Sequence, residues 1–145
     1  MSHEVANRKA TRYSCNFSGY LQVLCPELTF TPKPLYVQAH DISRTGCRLA
    51  TKAITPDFYR LLLQEIRHAK LELDLQDGRV LNLRGKIVWV EYREKISMVA
   101  LSVNGLKESA QNDLDLLLDE MAAKGAITAV ETSRPEVSSD RNPRP

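Results

Sequence analysis

Arg8 and Arg12 stand four positions apart in a polar N-terminal segment, and further along the chain reads Asp41-Ile42-Ser43-Arg44-Thr45-Gly46. A guanidinium is a permanent, planar cation; its chemistry is to grip anions and stack on flat rings. The hexapeptide carries a carboxylate, a hydroxyl and a glycine in a D-x-S-x-x-G pattern. These are turn-forming types: Asp and Ser side chains cap nearby backbone groups, and Gly goes where a side chain would clash. Taken singly, the arginines are a solvated basic arm and the hexapeptide is a turn between two strands. An R-x-x-x-R arm followed by that turn is a rarer combination, and the chemistry it offers is binding rather than bond-making.

The rest of the chain adds no catalytic constellation. There is no Ser/His/Asp signature, no G-x-G-x-x-G and no Walker-type phosphate loop. His3, His40 and His68 are scattered without metal-ligand spacing. Cys15, Cys25 and Cys47 are odd in number and form no C-x-x-C, so they read as small core residues in a reducing compartment. Asp113, Asp115, Asp119 and Glu120 fall mainly on the polar face of a late helix. Arg44 and Arg48 fit a surface position as well as an extension of the basic patch. The expectation is a protein that is not an enzyme and holds no metal or cofactor.

The elements that must position the arm and the turn are mostly short strands. Tyr13 to about Leu24 reads as a first strand, and the segment from Cys25 to Pro34, with Pro26, Pro32 and Pro34, as a loop. A second strand, Leu35 to His40, runs into the turn, and Cys47 to Ala50 resumes as strand. Thr55 then offers a helix N-cap with Pro56 at the first helical position and Asp57 behind it. Phe58, Leu61, Leu62, Ile66 and Ala69 continue at helical spacing, which predicts a helix over 56–68. The period switches to two at Leu71-Glu72-Leu73-Asp74-Leu75, Asp77-Gly78 signals a tight hairpin, and Leu81, Leu83, Ile87 and Trp89 continue one apolar face. Trp89 is therefore expected in the core; its other reading is a wall against a ligand ring. A strand near Ile96–Val103 and a helix from about Leu106 to Lys124 complete the pattern, with Gly125 as the stop. The predicted fold is mainly β: a small six-stranded antiparallel barrel with a C-terminal helix and an additional mid-chain helix. Residues 1–124 form the domain, with 1–12 a flexible arm, and 125–145 a polar, proline-containing disordered tail.

Bulk composition narrows the partners. Twenty Lys+Arg against 18 Asp+Glu leave a net charge of only +2 over 145 residues, too balanced for coating a nucleic-acid polymer. Aromatic residues make up 6%, which also weighs against a single-strand-binding groove. No apolar run approaches the ~20 residues of a membrane helix, and the N-terminus has no signal-peptide pattern. A cytoplasmic protein without membrane insertion is expected.

The arm Arg8-Lys9-Ala10-Thr11-Arg12, the turn Asp41-Ile42-Ser43-Arg44-Thr45-Gly46 and the late strand Gly85-Lys86-Ile87-Val88-Trp89-Val90 together resemble the PilZ domain family, bacterial receptors for cyclic di-GMP. The resemblance covers roughly Asn7 to Met121. It implies a stand-alone receptor that binds cyclic di-GMP through Arg8, Arg12, Asp41, Ser43 and Gly46. The arginines would take phosphates or guanine edges, Asp41 the guanine N1/N2 donors, and Ser43 a phosphate or ring acceptor, with Gly46 letting the backbone come close. The resemblance further implies relay to an unidentified downstream protein as the arm orders. The alternative is an adaptor of the same fold that acts by protein–protein contact without the nucleotide. Family members often carry a glycine early in the strand after the tryptophan strand, and Ile96-Ser97-Met98-Val99 has none.

Overall fold

Alternation of apolar and polar residues lets each strand bury one face, and closing such strands into a ring leaves few exposed edges. In the computed structural model, which describes residues 11–103 and 106–130, this closure is complete. The strands are β1 (Tyr13–Val23), β2 (Leu35–Ser43), β3 (Gly46–Thr51), β4 (Arg67–Asp74), β5 (Val80–Glu91) and β6 (Ser97–Ser102). Helix α1 (Pro56–Gln64) lies between β3 and β4, and α2 (Glu108–Ala123) follows β6. The spatial order is β2-β3-β6-β5-β4-β1, and β1 returns to pair with β2. All of these pairs are antiparallel, which makes a closed six-stranded barrel.

Inside the ring, Leu21, Ala39, Leu49, Leu73 and Val99 lose all contact with solvent. Leu114, Leu118 and Met121 of α2 are buried and join the same apolar core. At α1, Thr55 Oγ1 accepts from the Phe58 N–H at 3.1 Å, as its capping position requires. Tyr59 of α1 stacks on Tyr92, ring centroids 5.0 Å apart, and so docks the helix against the end of β5.

Three features depart from the sequence expectation. Helix α1 stops at Gln64 rather than His68, because Glu65 is extended (φ −165°, ψ 167°) and Arg67 already opens β4. The period-two pattern reaches back to Arg67: Arg67, Ala69, Leu71 and Leu73 point inward, while Ile66 is 68% exposed. The inward Arg67 hides its stem and sends its guanidinium to Glu27 (2.7 Å), Glu65 (3.1 Å) and the Leu61 carbonyl (3.3 Å), tying the Cys25–Pro34 loop and the end of α1 to the barrel.

Second, Trp89 is not in the core; it is 44% exposed. Ile87 pairs with Leu101 and Trp89 with Ala100, so Val88 is an extra residue, a β-bulge that flips every later side chain to the opposite face.

Third, the fold continues past Gly125. Ile127 is 2% exposed, and a short strand β7 (Thr128–Ala129) pairs with Tyr13 and Ser14 of β1. Residues 1–10, which include Arg8, and 131–145 lie outside the described residues.

Candidate functional site

The site is built on the outer surface of β1, β2 and β3. In β2, Leu35, Val37 and Ala39 point inward, and strict alternation would send Asp41 inward after them. It does not go there. Ala39 pairs with Leu49 and Asp41 with Arg48, so His40 is an extra residue and the bulge turns Asp41 outward while Ile42 fills the core. A bare carboxylate among the barrel's apolar side chains would be costly, and the bulge avoids that burial.

Once outside, Asp41 meets two arginines. Arg12 Nη2 donates to Asp41 Oδ2 at 2.8 Å, and Arg48 Nε donates to the same oxygen at 3.1 Å. The Asp41 side chain is 16% exposed, whereas its two partners are each exposed by more than two-fifths. Arg12 is also held by its backbone: its carbonyl accepts from the Val130 N–H at 2.8 Å, just beyond β7. The end of the arm nearest the barrel is therefore fixed at both side chain and main chain, although the sequence placed it in a flexible segment.

The turn residues divide by role. Ser43 is buried, and its Oγ accepts from the Thr45 N–H at 3.2 Å and lies 3.1 Å from Thr45 Oγ1. The hydroxyl is thus spent inside the turn, fixing its shape. Gly46 opens β3 where it presses on β6: a Cβ built there would sit 2.2 Å from the Leu101 carbonyl oxygen. The close approach that requires glycine is to a neighbouring strand. Arg44 at the tip pairs with Asp115 of α2 at 3.2 Å, and Gln111 Nε2 donates to the Arg44 carbonyl at 3.3 Å. These contacts draw Arg44 toward the helix and away from Asp41.

The structure thus brings Arg12 and Asp41 together, with Ser43 and Gly46 shaping the turn beneath them; Arg8 lies outside the described residues. Arg48 is the member the sequence left undecided. Its outward direction was legible, since Cys47 and Leu49 on either side are apolar and buried. Its contact with Asp41 was not, because that depends on the bulge at His40.

Burial pushes the thiols of Cys15 and Cys47 up to about 12, and the Asp41 charge adds to the rise in both. Both are therefore protonated, unreactive packing groups at neutral pH. Among the described residues, no group of three or more His, Cys, Asp or Glu side chains is placed to hold a metal ion. No helix among them is long and apolar enough to cross a membrane.

A sequence model described as PilZ domain matches residues 6–120. No curated protein matches the chain significantly. Among solved structures, the PilZ domain with c-di-GMP of YcgR from Escherichia coli is similar, with a TM-score of 0.60 and 12% identity, over 82% of this chain and 94% of that one. YcgR in complex with c-di-GMP from Escherichia coli gives a TM-score of 0.56 and 12% identity, over 82% of this chain and 47% of that one. The Bacillus subtilis inhibitor of motility (MotI/DgrA) gives 0.52 and 13%, over 81% of this chain and 53% of that one. The chain thus spans about half the length of the last two, and identities this low show a shared fold.

Proposed function

Because the chain belongs to the PilZ domain family, matched over residues 6–120, we propose that it is a cytoplasmic receptor for cyclic di-GMP. In this reading Arg8, Arg12 and Asp41 contact the ligand, Ser43 and Gly46 set the turn that presents Asp41, and the output is passed to a downstream protein without catalysis.

One observation carries the reading most directly. The last residue of the R-x-x-x-R arm and the first residue of the D-x-S-x-x-G turn, 29 positions apart, meet at 2.8 Å on the outer face of the barrel. That contact between two motifs with binding chemistry supports reading them as one site. Asp41 offers a carboxylate suited to the N1/N2 donor edge of guanine, and Arg12 offers a planar fork suited to phosphate or to the O6/N7 edge. A ligand phosphate arriving at Arg12 competes with Asp41 for the same N–H groups. Exchange of Arg12 from carboxylate to phosphate moves the arm, and a partner that distinguishes the two arm positions reads the change.

Titration calorimetry with cyclic di-GMP tests the reading. Saturable heat with a micromolar or tighter Kd, about −8 kcal/mol or stronger, is the expected result. A folded sample that gives no heat at hundreds of micromolar ligand would leave the ligand-independent adaptor as the function.

A further inference from the structure

Outward-facing residues of β4 and β5 meet in cross-strand pairs of like kind. His68 stands opposite Lys86 and Lys70 opposite Arg84, and all four side chains are exposed. Neighbouring strands lie about 4.8 Å apart and alternate residues about 6.8 Å along a strand, so three permanent cations and an imidazole share one small patch. Like charges placed directly opposite destabilise a sheet. Elsewhere the fold neutralises such charge: among the described residues, every arginine except Arg84 forms an ion pair with a carboxylate. Glu65 is held by Arg67 at 3.1 Å, and Glu72, diagonal to Arg84, forms no ion pair among the described residues.

Apolar surface adjoins the cations on one side. Ile66, 68% exposed, lines an open hollow of about 300 Å³ together with Leu24, Pro26, His68 and Arg84. Leu63, in the last turn of α1, is 61% exposed. Along β4 the outer face then changes sign, from His68 and Lys70 to Glu72 and Asp74. Cations and aliphatic side chains thus gather where β4 begins, and carboxylates where it ends. A planar anionic surface attracts the first end and repels the second, which sets how the barrel lies on it. Lysine and arginine stems reach headgroups while their methylenes rest on apolar groups, and Ile66 is placed to enter the headgroup boundary beside them. An acidic polypeptide would answer the charges alone.

We propose that the start of β4 and the facing part of β5 form a peripheral docking surface for anionic lipid, with Lys70, Arg84 and Lys86 supplying the charge and Ile66 the apolar contact. Docking of this kind lays the barrel on a membrane without a spanning segment. It is independent of the receptor reading, since none of the four residues belongs to the arginine arm or the D-x-S-x-x-G turn.

Co-sedimentation of the full chain with vesicles tests the surface, using phosphatidylcholine alone and an equal mixture of phosphatidylcholine and phosphatidylglycerol. Binding is expected on the mixed vesicles only, and it should fall as salt rises. Lys70→Gln, Arg84→Gln and Lys86→Gln should each weaken it about fivefold, and the triple variant on the order of a hundredfold. Ile66→Ser should weaken it about fivefold with the salt dependence kept. The triple variant should melt no lower than the parent, because it relieves repulsion, and its cyclic di-GMP titration should match the parent's. Full vesicle binding by a folded triple variant, equal binding to both vesicle types, or no binding to the mixed vesicles at low salt overturns the proposal. So does salt-sensitive binding to polyglutamate without vesicle binding, which would identify the partner as an acidic polypeptide.

Discussion

Arg12 and Asp41 form a 2.8 Å ion pair in which the carboxylate oxygen is shared with Arg48. Arg12 and Arg48 are each exposed by more than two-fifths, so the pair contributes little to folding, on the order of 0–1 kcal/mol. Its importance lies in what it prepares. Arg12→Ala should cost about 1.5–3 kcal/mol of cyclic di-GMP binding, roughly ten- to a hundredfold. Arg12→Lys should recover part of that, because an ammonium keeps the charge and lacks the planar fork. Calorimetry measures both, and urea unfolding of the ligand-free variants checks that stability moves by less than about 1 kcal/mol.

Asp41 and Ser43 should fail differently when altered. Asp41→Ala removes the proposed guanine acceptor and should narrow the preference for cyclic di-GMP over cyclic di-AMP. Ser43→Ala removes the hydroxyl that shapes the turn from within. Its loss should appear as about 0.5–1.5 kcal/mol of stability, with ligand discrimination kept. Competition binding with the two dinucleotides, alongside thermal unfolding, separates these outcomes. A Ser43→Ala protein of full stability that loses discrimination would place the hydroxyl on the ligand.

Two C-terminal truncations should behave unlike each other. Removing 131–145 takes one large apolar side chain, Val137, and should leave the melting temperature nearly unchanged. Removing everything from Ala126 onward also takes Ile127, which is 2% exposed, and strand β7, and should cost about 2–4 kcal/mol. The longer truncation deletes the Val130 N–H that holds the Arg12 carbonyl as well, so it should weaken cyclic di-GMP binding too. Equal melting temperatures for the two forms would show that Ile127 and β7 contribute nothing.

Alkaline pH should destabilise the fold through its buried thiols. In the unfolded chain a cysteine titrates near 9.0; in the fold, burial raises Cys15 and Cys47 to about 12. Between those values the folded state binds more protons than the unfolded state, so stability is fully kept below about pH 9 and falls as pH climbs toward 12. Unfolding curves across that window should show the decline, and Cys47→Ala should show a shallower one. A thiol reagent at pH 8 should modify both residues slowly. An identical slope in Cys47→Ala would exclude this thiol as a source of the pH dependence.

Much of this protein follows from local sequence because the relevant forces are local. Thr55-Pro56-Asp57 starts a helix through backbone capping and a preset φ, and Asp77-Gly78 makes the bend between β4 and β5. The alternation of Leu71, Leu73 and Leu75 required a strand with one buried face. The binding chemistry of Arg12 and Asp41 was equally readable, since a side chain's charge and shape do not depend on where the chain takes it.

Tertiary structure decided which way several of those side chains point. A bulge exists only relative to a partner strand, so nothing in the sequence around His40 or Val88 requires one. Each extra residue reverses the inside–outside assignment that follows it, which brings Asp41 onto Arg12 and Arg48 and turns Trp89 out of the core. Arg67 looked like the end of an exposed helix because its pairing with Ile87 across β5 was not legible in its neighbours. Ile127 looked like tail because the pocket that buries it is assembled from distant parts of the chain. In every one of these cases a residue's environment is set by strands far away in sequence, and period and propensity carry no record of them.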